Sequence, residues 1–149
     1  MADFLSNTAP GFLGTGWKFP PTISSDGQSV EMLSGEDDIR SSLQILMGTR
    51  PGERPLHPDF GIGLEDLLYE PVNTTLRALV QDNIRTAILL HEPRIRLLSV
   101  EMEDQFGDGL LNIRLSYEVR TTNSRFNLVF PFYLTDSSEQ RSLVTETRR

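Results

Sequence analysis

The carboxylates Glu53, Asp59, Glu65, Glu70 and Glu92 fall in the middle of the chain, and two of them facing one bond would equip a glycosidase. That chemistry needs one acid kept protonated by its surroundings and a second carboxylate as base or nucleophile. The spacing here defines no such pair, and a chain with 21 acidic residues assembles sets of this kind by accident. The 2 histidines fare no better: His57-Pro58-Asp59 and His91-Glu92 do not place two ligands on one helical face, so neither reads as a metal site. No Gly-x-Ser-x-Gly elbow presents a serine nucleophile. Gly11-Phe12-Leu13-Gly14-Thr15-Gly16 lacks the spacing and the lysine-hydroxyl pair of a phosphate loop. With no cysteine there is no thiolate catalysis, no disulfide and no usual structural zinc site. The residues therefore point to no enzyme, no cofactor and no metal.

Two stretches carry more information. Glu92-Pro93-Arg94 sets opposite charges on either side of a residue that has no amide hydrogen and fixes its own backbone. At the least it is a helix stop, because proline pushes the residue before it out of the helical region. Phe126-Asn127-Leu128-Val129-Phe130-Pro131-Phe132 alternates large apolar residues with others, the period of a strand. Pro131 cannot donate to a ladder, so this strand belongs at a sheet edge or runs past it. An apolar edge is an aggregation hazard unless something covers it, and a strand supplied by a partner would satisfy the backbone and bury the aromatics together.

The elements that position these stretches follow from periodicity. Leu76, Leu79, Val80, Ile84, Ala87 and Ile88 recur at helical spacing behind a capping Asn73, and Pro93 ends that helix. Leu98, Val100 and Met102 then alternate with Ser99, Glu101 and Glu103 as a half-buried strand. Phe106-Gly107-Asp108-Gly109 turns the chain into the strand Leu111, Ile113, Leu115, Tyr117 and Val119, and Thr122-Asn123-Ser124 turns it again. Upstream, Ser34 caps a helix with an acidic first turn, Glu36-Asp37-Asp38, and Asp37 as its capping-box partner. Ile39, Leu43, Leu46 and Met47 form its buried stripe and Gly48 its end. Between the helices, Thr49 to Gly63 is a turn-rich loop, and Leu64, Leu67 and Leu68 form a short third helix closed by Glu70-Pro71. Gln28 to Leu33 reads as a short strand. Residues 1–26 read as an extended N-terminal arm without regular structure whose aromatics, Trp17 among them, pack on the domain or on a neighbour. The expectation is an α+β protein: two main helices plus a short third on a small, mainly antiparallel sheet with a C-terminal edge strand. One domain spans 27–134, and residues 135–149 form a polar tail.

At 149 residues the chain is the size of one domain. A net charge of -7 disfavours nucleic acid and anionic lipid as partners. No run is long and apolar enough for a membrane-spanning helix, and Met1 to Pro10 lack the pattern of a secretory signal, so synthesis and assembly in the cytoplasm are expected.

Taken in order, Gly16-Trp17-Lys18-Phe19-Pro20, Ser34-Gly35-Glu36-Asp37-Asp38-Ile39-Arg40, Gly48-Thr49-Arg50-Pro51-Gly52-Glu53-Arg54, Pro58-Asp59-Phe60-Gly61, Leu67-Leu68-Tyr69-Glu70-Pro71, Glu92-Pro93-Arg94-Ile95 and Asn127 to Phe132 form a series. This series resembles the baseplate wedge and sheath-initiator family of contractile injection systems, which spans phage tails, type VI secretion and extracellular contractile particles. The resemblance implies a structural protein present in multiple copies, six per particle. Its implied partners are two larger baseplate wedge proteins, the innermost sheath subunits and, beyond these, central hub or tube proteins. It further implies that Glu92, Pro93 and Arg94, with Glu53 and Arg54, face the wedge proteins, and that the strand Phe126, Asn127, Leu128, Val129, Phe130, Pro131 and Phe132 faces the sheath. The alternative is a lysozyme-like peptidoglycan hydrolase, for which the residues define no acid pair.

Overall fold

The alternation between Leu111 and Val119 becomes the middle strand of a three-stranded antiparallel sheet in the computed structural model, which describes residues 13–64, 73–105 and 109–133. The elements run β1 (Thr15–Trp17), β2 (Met32–Ser34), α1 (Glu36–Gly48), α2 (Thr74–His91), β3 (Ile95–Gln105), β4 (Leu110–Val119) and β5 (Ser124–Tyr133). The order in the larger sheet is β3-β4-β5, and β1 and β2 pair antiparallel as a second, small sheet. The fold class is α+β. The expected third helix around Leu67 and Leu68, its Glu70-Pro71 stop, the Phe106–Asp108 turn residues and the tail from residue 135 lie outside the described residues.

The core forms where helix and sheet periodicities meet. Ile39, Leu43 and Leu46 of α1 and Val80, Ile84 and Ile88 of α2 are buried in one cluster with Ile113, Leu115 and Val119 of β4 and Leu128 of β5. Each such side chain contributes roughly 1.5–3 kcal/mol by leaving water. α2 begins as its sequence requires: Asn73 Oδ1 accepts from the Leu76 amide at 2.8 Å. It ends at Glu92, whose N–H still reaches the Ile88 carbonyl at 2.9 Å while its own backbone has left the helical region ahead of Pro93. Leu79 does not join the buried stripe. It is exposed because the core-facing line runs through Leu76, Val80, Ile84 and Ala87.

Three other expectations change. Ser34 does not cap α1; it is the last residue of β2, paired with Thr15, and Gly35 at φ 62 occupies the cap position with no side-chain bond. A left-handed residue joins strand to helix there, which a Cβ would oppose. The segment before residue 27 does contain regular structure, since Thr15–Trp17 pairs with Met32–Ser34, and Ile23 bridges Val30. Only the end of the expected Gln28–Leu33 strand is therefore in β2. Finally, the register of β3 shifts between Leu97 and Ser99, so Leu98 is an inserted bulge residue, 44% exposed. The bulge lets Ile95 and Leu97 face the core before it, and Val100 and Met102 after it.

Candidate functional site

The hinge after α2 holds its two charges against each other. Glu92 is 2% exposed. Its Oε1 accepts from Arg94 Nε at 2.6 Å and its Oε2 from Arg94 Nη2 at 2.7 Å, a two-pronged pairing across Pro93. Nη1 of the same guanidinium donates to Asp38 Oδ2 at 2.7 Å and to the Leu13 carbonyl at 2.8 Å. One arginine thus ties the end of α2 and the start of β3 to the first turn of α1 and to the chain entering β1. A carboxylate this buried needs a cation beside it, and Arg94 supplies it. The bond to Glu92, opposed by burial and aided by Asp38, in turn holds Arg94 protonated even more firmly than a free arginine. Arginine has five N–H groups. Four are bonded here, and the Arg94 side chain remains 28% exposed beside an exposed Pro93.

Asp38 and Leu13 are the members that the sequence conceals. Asp38 reads as charge for a helix N-terminus, and nothing in its spacing announces a partner in the 90s. A small clue is Gly16: a Cβ built there would overlap the Asp38 carboxylate, so β1 passes close over this cluster.

Glu53 and Arg54 lie in the loop that packs on the same end of the molecule. Glu53 Oε2 accepts from the Arg50 amide at 3.0 Å, and Gly52 N–H donates to the Pro58 carbonyl at 2.6 Å, which folds the loop on itself. The Arg54 guanidinium stacks 4.1 Å from the Phe60 ring centre. Phe60 meets His91 edge-on at 5.1 Å, and His91 Nε2 lies 3.0 Å from the Asp59 carbonyl oxygen. Through Phe60 and His91, which precedes Glu92, the Glu53-Arg54 loop is tied to the last turn of α2 beside the clamped hinge. Glu53 and Asp59 are exposed and Glu92 has both oxygens engaged by Arg94, so these three do not form an acid and base facing a shared bond. Glu65 and Glu70 lie outside the described residues. Among the described residues no cluster of three or more metal-ligating side chains occurs.

The sheet presents two edges that differ in kind. On β3, Arg77 Nη1 and Gln81 Nε2, one turn apart on α2, donate to the carbonyls of Met102 at 3.3 Å and Val100 at 3.1 Å. α2 therefore occupies two carbonyls of that edge. On β5, the even-numbered residues turn inward: Leu128 is 2% exposed, and Phe126, Phe130 and Phe132 pack half-buried on the core. The aromatics of this strand are thus largely covered by their own domain, including Phe132 beyond Pro131. Among the described residues no strand pairs with the outer backbone edge of β5.

The phase of that edge follows from two hydrogen bonds at the neighbouring turn. Arg120 N–H donates to the Arg94 carbonyl at 3.0 Å, so even-numbered residues of β4 bond toward β3 and odd-numbered ones toward β5. Asn123, at φ 52, closes the hairpin by donating to the Val119 carbonyl at 2.8 Å. Val119 pairs with Ser124, so Ser124, Phe126, Leu128, Phe130 and Phe132 bond to β4. Arg125, Asn127, Val129 and Pro131 direct their backbone groups away from the sheet. Among the described residues no backbone–backbone hydrogen bond reaches these outward groups.

A second exposed apolar group sits on the small sheet, where Trp17, 66% exposed, pairs in register with exposed Met32 and precedes exposed Phe19. Trp17 is therefore not a core residue. No described helix is long and apolar enough to cross a membrane.

Comparison with known proteins gives a consistent picture. Residues 33–124 match the model of the family described as baseplate wedge protein gp25. The baseplate wedge protein gp25 of Enterobacteria phage T4 is 34% identical over 100 residues, covering 66% of this chain and 76% of that protein. Among solved structures, a candidate tail lysozyme from Geobacter sulfurreducens is 46% identical, with a TM-score of 0.64, over 71% of this chain and 97% of that one. A chain of the 6-fold symmetrised anti-feeding prophage baseplate is 28% identical, with a TM-score of 0.61, over 87% of this chain and 91% of that one.

Proposed function

Since the chain belongs to the gp25 family of baseplate wedge proteins, structural components of contractile tail-like systems, we propose that it joins two larger wedge proteins to the first sheath ring and starts the sheath by taking up a strand on β5. The observation that carries this reading is the asymmetry of the sheet. One edge has the carbonyls of Met102 and Val100 bonded by Arg77 and Gln81 of its own helix, and the other offers the outward backbone of Arg125, Asn127 and Val129. A regular array built by repeated head-to-tail contacts needs a starter that offers one contact and lacks the other. An edge strand supplies that contact through main-chain hydrogen bonds, which do not depend on side-chain matching.

The clamped hinge and the Glu53-Arg54 loop supply the wedge-facing surface. Glu92 supports this face from within, and the exposed Pro93, the remaining Arg94 N–H and the Arg54-Phe60 stack meet the partner. Such a backbone has little freedom left to lose on binding. The 6-fold symmetry of the anti-feeding prophage baseplate supports six copies per particle.

The test uses Val129→Pro. Because the Val129 N–H faces outward, the change removes an edge donor and leaves the β4 ladder intact. The variant should enter the complex with both wedge proteins in a pull-down and fail to nucleate sheath under the electron microscope. Sheaths of normal length and number would overturn the reading.

A further inference from the structure

The outward edge of β5 is interrupted at Pro131. Its outward backbone groups recur every second residue, so an added strand could slide by two residues and keep every side chain on its proper face. Such a slip displaces the partner by about 7 Å at the rise of an antiparallel strand. Nothing in a uniform ladder opposes it. Pro131 breaks that uniformity, because it occupies an outward position, opposite Asn112 across β4, and brings no N–H. Its pyrrolidine nitrogen faces the open edge, so the missing donor costs β4 nothing and costs an incoming strand a bond.

We propose that Pro131 ends pairing along β5 and thereby fixes the register of the strand taken up; this rests on the reading of β5 as a strand acceptor. The outward donors Arg125, Asn127 and Val129 define the paired stretch. The half-buried rims of Phe126 and Phe130 line one side of it, and the exposed Arg125, Asn127 and Val129 side chains line the other. The matching occupant is an extended sheath segment with apolar residues at alternate positions to cover the phenylalanine rims. On the opposite face it carries polar residues, including a carboxylate within reach of Arg125. A carbonyl of that segment brought opposite Pro131 would find no donor, so the segment settles on the hinge-proximal part of β5.

Residue-resolved amide hydrogen exchange of the full chain, alone and with purified sheath subunit, tests this. Exchange at Arg125, Asn127 and Val129 should slow at least tenfold on adding the subunit, while Tyr133, the next outward amide after Pro131, stays unchanged. Pro131→Val restores the donor and should extend the slowing to the introduced amide and to Tyr133. Thermal unfolding of this variant should match the native chain, since the β4 ladder is untouched. If Tyr133 is slowed in the native chain together with the other three, pairing passes the proline and the stop is refuted, while strand uptake stands. If none of the three is slowed, strand uptake fails and the stop fails with it. Slowing without sheath subunit that grows with protein concentration would mean that a second copy of this chain is the occupant, and would overturn the assignment to sheath.

Discussion

Arg94 and Glu92, two residues apart, are bonded through both carboxylate oxygens across Pro93, so the motif is folded onto itself before any partner arrives. Read as a string, Glu-Pro-Arg looks like two charges offered outward. In three dimensions the glutamate is buried and the arginine links four segments of chain.

The first prediction is that Arg94→Ala destabilises the isolated protein by about 3–5 kcal/mol, because it leaves Glu92 buried without its cation. Glu92→Gln should cost less, about 1–3 kcal/mol, since an amide keeps part of the bonding and Asp38 still balances Arg94. Denaturant midpoints compare the two. Equal midpoints for Arg94→Ala and the native chain would show that the clamp does not hold the fold.

A second prediction concerns Gly16 and Asp38. A side chain at 16 must displace the Asp38 carboxylate from its place beside Arg94. Gly16→Ala should therefore be destabilising in the native background and close to neutral when Asp38→Ala is already present. Contacting residues commonly couple by 0.5–3 kcal/mol, roughly, and a double-mutant cycle measures it. Additive effects would mean that β1 does not press on the cluster.

The bulge gives a third. Leu98→Ser should change stability by no more than about 0.5 kcal/mol, as at an ordinary surface site. Leu115→Ala, at a fully buried position, should cost about 2–5 kcal/mol. If Leu98→Ser costs as much as the core change, the strand runs without its bulge.

The fourth is a pH dependence. Burial pushes the Tyr117 phenol from 10.0 up to about 12, with Glu36 and Glu92 adding to the shift and Arg40 opposing it. A group whose folded value is raised contributes stability that is complete below its unfolded value and lost as pH rises through the folded one. Stability should therefore fall between about pH 10 and pH 12, by an amount on the order of 2–3 kcal/mol. Tyr117→Phe should flatten that fall. An unchanged alkaline profile in the variant would show that another group is responsible.

Much of this architecture is legible in the residues, for identifiable reasons. Ile39, Leu43, Leu46 and Met47 repeat at helical spacing without interruption, and Leu111 to Val119 alternates over its whole length, so local period and burial agree. Pro131 announces an edge because its chemistry forbids a central position. The failures share a cause too. Leu98 looks like a core residue because alternation counts residues, and a bulge adds one without a mark in the pattern. Ser34 is a good capping residue that pairing with Thr15 claims first. Arg94 joins Asp38 across 56 positions, a relation carried by tertiary structure and invisible to any local window. Of the hinge, the sequence displays the turn and hides the clamp.

The bonding of two β3 carbonyls by Arg77 and Gln81 bears on self-association. A chain with both edges bare could add copies of itself indefinitely, plug into socket, and exhaust its own supply in filaments. With two of its outward carbonyls already bonded from within, β3 is a poorer template for a second copy than β5, and edge-to-edge growth of this chain on itself is opposed by its own helix.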